Sequence, residues 1–332
     1  MVKNGWGVWT QDFDYELEPE RIAQVPVEPR DSSRLLDAND LSDHSFSDLP
    51  QLLEPGDLVV VNRSRVRAAR LRGVKSLTGG NVEALLLGPL TDDRWRAMVR
   101  PARRLRVGTV LAFGPITAIV DEAPSGGVAI LHLKADGDLE DAIEAVGALP
   151  LPPYITAELA NPERYQTIFA REVGSAAAPT AGLHFTEGVV AGLARRGIEM
   201  ASLELRVGLD TFRPIATDRV EDHQIHSEEF SIPEATRRAI ETCRGRVVAV
   251  GTTVVRALES DFERTSTDLF ITPGFQFKTV DLLVTNFHLP RTSLLVLLAA
   301  FMGPRWRETY EVAKNRNYRF ASFGDAMLAE RL

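Results

Sequence analysis

Cysteine is almost missing from these 332 residues: Cys243 stands alone, which excludes an internal disulfide and any multi-cysteine metal centre. Beside Arg244, it reads as a buried or incidental thiol. Long apolar runs are also missing. The longest, Ser293–Met302, is too short to span a bilayer, and the N-terminus has no basic-then-apolar signal, so a cytoplasmic protein is expected. Lysine is scarce, confined to Lys3, Lys75, Lys134, Lys278 and Lys314; genome base composition can cause that bias, so it carries no functional meaning. A net charge of −8 argues against indiscriminate nucleic-acid binding but leaves room for a local basic face. No internal repeat or low-complexity tract occurs.

What is present is the composition of a globular protein, 44% hydrophobic and 25% charged, in a chain long enough for one large domain or two ordinary ones. Residues 1–10 read as a loose leader. Pro19 in a first turn predicts a short helix over 18–24. A strand is expected after Arg30, and a second short helix from His44, ended by Glu54-Pro55-Gly56-Asp57. Leu58-Val59-Val60-Val61-Asn62 has the unbroken apolar character of a strand buried on both faces. From Leu71 to about Pro150, short alternating or β-branched segments are separated by turns such as Thr78-Gly79-Gly80-Asn81 and Ser125-Gly126-Gly127, which predicts a small antiparallel barrel. Beyond it, helical patterns at 187–196, 234–242 and 253–260 alternate with strands at 199–207, 246–250 and 280–285, the mark of an α/β domain. The expected division is a discontinuous main domain of 1–70 and 151–332, with an inserted β-barrel over 71–150.

The stretch from Gly174 to Thr186 combines three alanines, Pro179, Thr180, Gly182 and a single His184 between Leu183 and Phe185. Small residues let a backbone approach a ligand, Pro179 disfavours helix at Ala178, and Thr186 suits a helix start. The pattern predicts a tight loop entering a helix with an imidazole facing the same space as free N–H groups. An alanine-rich packing loop with its histidine hydrogen-bonded in the core satisfies the same residues. Three further loops follow strands: Asn62-Arg63-Ser64-Arg65, Gly251-Thr252-Thr253, and Thr285-Asn286-Phe287-His288. Ligands of open α/β sheets sit at such strand ends, and Gly251-Thr252-Thr253 opening a helix offers N–H groups to an anion. Arg256 and Glu259, three apart on that helix, are expected to pair. His223 and His226 supply only two metal ligands, so no metal is expected and acid–base work suits His226 better. Arg63, Arg65 and Arg67 alternate, and Arg100, Arg103, Arg104 and Arg106 form a second group; each reads as a basic face or as a solvated edge.

Taken in order, these segments resemble the S-adenosylmethionine:tRNA ribosyltransferase-isomerase family of queuosine biosynthesis. The resemblance runs from Asp12-Phe13-Asp14-Tyr15 through Arg100-Pro101-Ala102-Arg103-Arg104, Leu151-Pro152-Pro153-Tyr154-Ile155, Ala178–Thr186, His226-Ser227-Glu228 and Gly251-Thr252-Thr253. It continues through Thr285–Pro290 to Phe323-Gly324-Asp325-Ala326-Met327. It implies an α/β barrel-like main domain with an inserted antiparallel β-barrel. S-adenosylmethionine would be a substrate and tRNA the acceptor, with no metal, prosthetic group or membrane association, in a protein acting as a monomer. The implied reaction moves the ribosyl group onto an aminomethylated 7-deazaguanine and isomerises it. By this likeness His184, His226, Thr180 and Glu228 are catalytic candidates. Ala181, Gly182, Thr252, Thr253, Arg256, Glu259, Asn286 and His288 are candidates for binding S-adenosylmethionine, with Arg256 and Glu259 at its methionine end. Asn62, Arg63, Arg65, Arg206 and Asp210 are candidates for binding the acceptor.

Departures from the family pattern fall where they should matter. Arg63 stands where the family usually has aspartate, Arg206 where it has histidine, Asp210 where it has glycine, and Val254 where it has serine. A desolvated arginine near a cationic aminomethyl group would repel it by several kcal/mol. Two other outcomes therefore stand beside the family activity: a paralogue with a neutral or anionic acceptor, and a non-catalytic binding protein on the same scaffold.

Overall fold

The computed structural model describes residues 8–208, 214–225 and 227–332. The chain divides into two compact units, Met1–Arg65 with Pro152–Glu172 and Ala178–Leu332, and Val66–Leu151 with Val173–Ala177. The larger unit is built on a nine-stranded mixed sheet. From edge to edge its strands are Ser266–Thr267, Glu228–Ser231, Glu199–Leu205, Leu58–Asn62, Val247–Val250, Leu282–Asn286, Ala326–Glu330, Arg34–Asp37 and Asp43–Ser45. The four strands from Glu199–Leu205 to Leu282–Asn286 run parallel, so their carboxyl ends share one edge of the sheet. Leu58–Asn62 lies inside this set with every residue buried, which is why it carries no polar alternation.

Alternate residues of these strands pack on opposite faces. Val59, Val61, Val248, Val250, Leu282 and Val284 meet Phe46, Phe185, Val189 and Leu193 on one side. Val189 and Leu193 belong to the helix Glu187–Arg195, which starts where Thr186 accepts a hydrogen bond from the Val189 N–H at 3.3 Å. The run Ser293–Met302 is a core helix, apolar all round because nearly every residue is buried. The helix Arg305–Asn315 packs against it through Trp306, Thr309, Tyr310 and Ala313, one stripe at helical spacing. This helix and the short strands Glu228–Ser231 and Ala326–Glu330 are not among the elements expected from the sequence.

In the smaller unit, Arg70–Lys75, Asn81–Pro89, Arg94–Arg100, Val110–Phe113, Ile116–Ser125 and Val128–Lys134 close into an antiparallel barrel. Trp95, Ala97, Val99, Leu111, Phe113, Ala118, Val120, Leu131 and Leu133 fill its interior, and the residues between them face outward. Among the described residues, no helix is long and apolar enough to cross a membrane.

Candidate active site

A cavity opens in the larger unit at the carboxyl ends of the parallel strands. One wall is Ala178, Pro179, Thr180 and Ala181, and a second is Gly251, Thr252 and Thr253. A third is Thr285, Asn286, Phe287, His288 and Leu289; Val207, Tyr154, Ser322, Ala321, Thr292 and Leu294 complete it. No lining side chain carries a formal charge among the described residues.

Backbone geometry explains how small residues bring these walls together. Gly251 has φ of +94°, a conformation open to glycine, and a Cβ there would lie 3.6 Å from the Ala181 methyl. The loop 286–288 is held from outside. The Phe287 ring packs on Tyr310, Tyr318 and Phe320 at 5.5, 5.4 and 5.1 Å between centroids. The His288 N–H donates to the Tyr310 hydroxyl at 2.8 Å, and the Tyr15 hydroxyl donates to the His288 carbonyl at 2.5 Å. Burial raises the pKa of both tyrosines, which keeps both hydroxyls protonated, Tyr15 as donor and Tyr310 as acceptor.

His184 corrects the sequence reading. Its ring does not line the cavity. It lies behind the wall, 4% exposed and stacked on Phe46 at 5.0 Å. Both ring nitrogens are engaged, Nδ1 with Ser33 Oγ at 2.7 Å and Nε2 with Asn286 Nδ2 at 3.0 Å. The Asp325 carbonyl, an acceptor only, lies 3.5 Å from Asn286 Nδ2 and fixes that side of the amide as the donor. His184 Nε2 therefore accepts, and Nδ1 carries the proton toward Ser33. On the other side of the amide, Thr180 donates to Asn286 Oδ1 at 2.9 Å. Burial, then the charges of Arg319, Arg30 and Arg164, depress the His184 pKa to about 3. With both nitrogens occupied, this neutral imidazole is held against the Asn286 amide.

His288, by contrast, is among the residues that line the cavity. Its Nε2 is 3.1 Å from Thr285 Oγ1, and burial lowers its pKa to about 3. Thr180, Ala181, Thr252, Thr253 and Asn286 also line the cavity. Gly182 does not; a Cβ there would lie 3.0 Å from Thr167 Cγ2, a tight contact that the neighbouring side chain would have to accommodate. The helix opened by Thr252 is only seven residues long, and its residues on the cavity wall are Thr252 and Thr253.

The expected Arg256–Glu259 pair is not formed. Arg256 makes a buried ion pair with Glu228 and donates to the Leu269 carbonyl at 3.0 Å. Glu228 in turn accepts from the Gly208 N–H at 2.7 Å, which holds the backbone next to the lining residue Val207. Glu259 accepts from the backbone N–H groups of Lys278, Thr279 and Val280 at 2.8, 3.0 and 2.9 Å. All three carboxylate and guanidinium groups are thus occupied in structural contacts outside the cavity. Helical spacing suggested the pair, but packing of distant segments supplied closer partners.

Of the acceptor candidates, Asn62, Arg63, Arg65 and Arg206 are likewise outside the cavity wall. Asn62 bridges two strand ends, donating to the Leu205 carbonyl at 2.9 Å and accepting from Ser64 and Leu205 N–H groups. Arg63 faces Glu172 at 3.8 Å, Arg65 pairs with Glu163 at 2.7 Å, and Arg206 pairs with Glu229 at 2.7 Å and Glu204 at 3.3 Å. Asp210 and His226 lie outside the described residues. Sequence reasoning missed Ser33, Tyr154 and Ser322. The Tyr154 hydroxyl meets Ser322 Oγ at 2.7 Å on the wall, and both residues sit in or beside segments that carried the resemblance. Among the described residues no group of three or more His, Cys, Asp or Glu could hold a metal ion.

The family model described as queuosine biosynthesis protein matches residues 10–329. The S-adenosylmethionine:tRNA ribosyltransferase-isomerase of Moorella thermoacetica is 47% identical over 96% of this chain and 98% of its own length. That of Heliobacterium modesticaldum is also 47% identical, over 95% and 98%. A crystal structure of S-adenosylmethionine tRNA ribosyltransferase from Thermotoga maritima is 37% identical with a TM-score of 0.53, covering 96% of this chain and 99% of that one.

Proposed function

The chain belongs to the queuosine biosynthesis protein family, and on that premise we propose that it transfers the ribosyl part of S-adenosylmethionine to an aminomethylated 7-deazaguanine in tRNA. The sugar is isomerised to an epoxycyclopentanediol, giving epoxyqueuosine-tRNA, and adenine and methionine leave. S-adenosylmethionine is consumed as a substrate. One observation carries this reading: the segments around Pro179, Thr252 and Asn286, far apart in the chain, form the wall of a single cavity.

The reaction needs a base for the proton beside the sulfonium, an acid for departing adenine, donors for developing oxygen charge, and exclusion of water. An uncharged wall suits the first need. A carboxylate beside the sulfonium would offset the positive charge that acidifies the neighbouring C–H. Thr252 and Thr253 supply hydroxyl donors for the sugar oxygens. Thr180, its proton committed to Asn286, meets the ligand as an acceptor. His288 contributes a neutral imidazole that hydrogen-bonds the substrate. Proton transfer is assigned to His226, whose imidazole type titrates near neutrality and whose segment carries the resemblance. His184 is a positioning residue that acts through Asn286.

That Arg63 and Arg206 lie beside acids and are not among the cavity's lining residues supports the tRNA acceptor over a neutral or anionic one. The test is adenine release from S-adenosylmethionine with and without precursor-modified tRNA. Release is expected only with the tRNA, and His226→Ala should slow it by about 10²–10⁴-fold. His184→Gln should retain more activity than His184→Ala, and neither should move the pH profile. No release with the modified tRNA, or equal release without it, would defeat the proposal.

A further inference from the structure

Most arginines of the larger unit end on carboxylates or backbone carbonyls, but the barrel keeps a group that does not. From Arg94 to Val120 there are six arginines and no acidic residue. Arg94 is neutralised by Asp121 and Glu122 at 2.6 and 3.2 Å. Arg96, Arg100, Arg103, Arg104 and Arg106 are exposed and have no carboxylate partner among the described residues. Strand register gathers further cations beside them. Arg72, Glu83 and Arg100 are cross-strand neighbours on three adjacent strands, so they share the barrel's outer face. Glu83 already serves Arg72 at 3.6 Å and Arg70 at 4.0 Å. The turn Ala102–Arg104 follows closely on Arg100, and the Lys75 ammonium holds it against the barrel by donating to the Arg104 carbonyl at 2.9 Å.

Like charges this close repel one another, and an acidic protein has carboxylates to spare for pairing them. Here they are left unpaired, and the chain segment holding them contains no acid. Guanidinium groups match phosphate with two parallel hydrogen bonds, and releasing the phosphates' counterions adds affinity. We propose that this face of the barrel, centred on Arg100, Arg103, Arg104 and Arg106, is the docking surface for the phosphate backbone of the RNA acceptor. The proposal rests on the reading of the acceptor as tRNA and adds where on the chain the RNA is held. It also gives a purpose to a basic group that the overall charge of −8 conceals.

The experiment measures equilibrium binding of an unmodified tRNA transcript to the full chain across a salt series. The variants are R103Q/R104Q/R106Q and its charge-preserving counterpart R103K/R104K/R106K. Loss of three phosphate contacts should weaken binding by about 100-fold near physiological salt and lower the log–log salt slope by about 2–3. The lysine variant should keep most of the affinity. S-adenosylmethionine binding, measured separately, should be equal in all three proteins, which also shows that the fold is intact. Unchanged RNA affinity and slope in the glutamine variant would overturn the proposal. So would a loss confined to anionic lipid vesicles with RNA binding untouched. Because no step of this assay involves turnover, a salt-dependent loss supports the docking face even if adenine release fails.

Discussion

One group of arginines in each unit makes the contrast. In the larger unit Arg65, Arg206, Arg246 and Arg256 each end on a carboxylate, and the cavity wall carries no formal charge. On the barrel, five exposed arginines within residues 96–106 have no such partner among the described residues. The paired charges are satisfied within the protein; the open group on the barrel is left for the polyanion proposed above. The larger unit instead spends its buried polar groups on one another, in the chain Ser33–His184–Asn286–Thr180. A small substrate is then met by neutral groups already held in place.

That contrast separates chemistry from RNA affinity. The largest effect is expected from Asn286→Ala, which removes the cavity amide and leaves His184 and Thr180 without their shared partner. Adenine release should fall by about 10²–10³-fold. Affinity for the tRNA transcript should hold, and a parallel loss of RNA binding would merge the two roles.

Acid stability comes next. The His184 and His288 pKa values fall from the usual 6.5 to about 3 in the folded chain, burial being the main cause in each. Between those limits the unfolded chain binds protons that the folded chain refuses, so stability is retained near neutrality and lost as pH falls below 6.5. The pair contributes a slope approaching about 2.7 kcal/mol per pH unit, and His184→Gln should remove about half of it. Urea unfolding across this range measures the slope; an identical slope in the variant would mean that His184 is protonated in the fold.

The smallest effects belong to the paired arginines. Arg63→Ala and Arg206→Ala should each change stability by about 1 kcal/mol or less, because both ion pairs reach solvent. Neither should alter the salt slope of tRNA binding. A slope change as large as that expected of the barrel variant would erase the distinction between the units.

Much of the fold was written in local pattern. Alternation at Trp95, Ala97 and Val99, and again at Leu131 and Leu133, specifies a closed barrel because one face of each strand must fill the interior. The unbroken run Leu58–Asn62 specifies a strand covered on both faces, and the small residues from Ala178 to Gly182 mark a close approach of backbones. The sequence by itself therefore determined the layers, the cavity's main segments and the family. Partnership is a different matter, since it depends on distances between residues far apart in the chain. His184 looked like an active-site imidazole until Ser33 and Asn286 occupied both its nitrogens. Arg256 and Glu259 have the spacing of a helical pair, yet Glu228 and the backbone at Lys278–Val280 took them instead. Only the tertiary structure decided which polar groups are satisfied inside the protein and which remain open to a ligand. A buried donor finds the nearest acceptor in space, and three-dimensional packing alone sets which one that is.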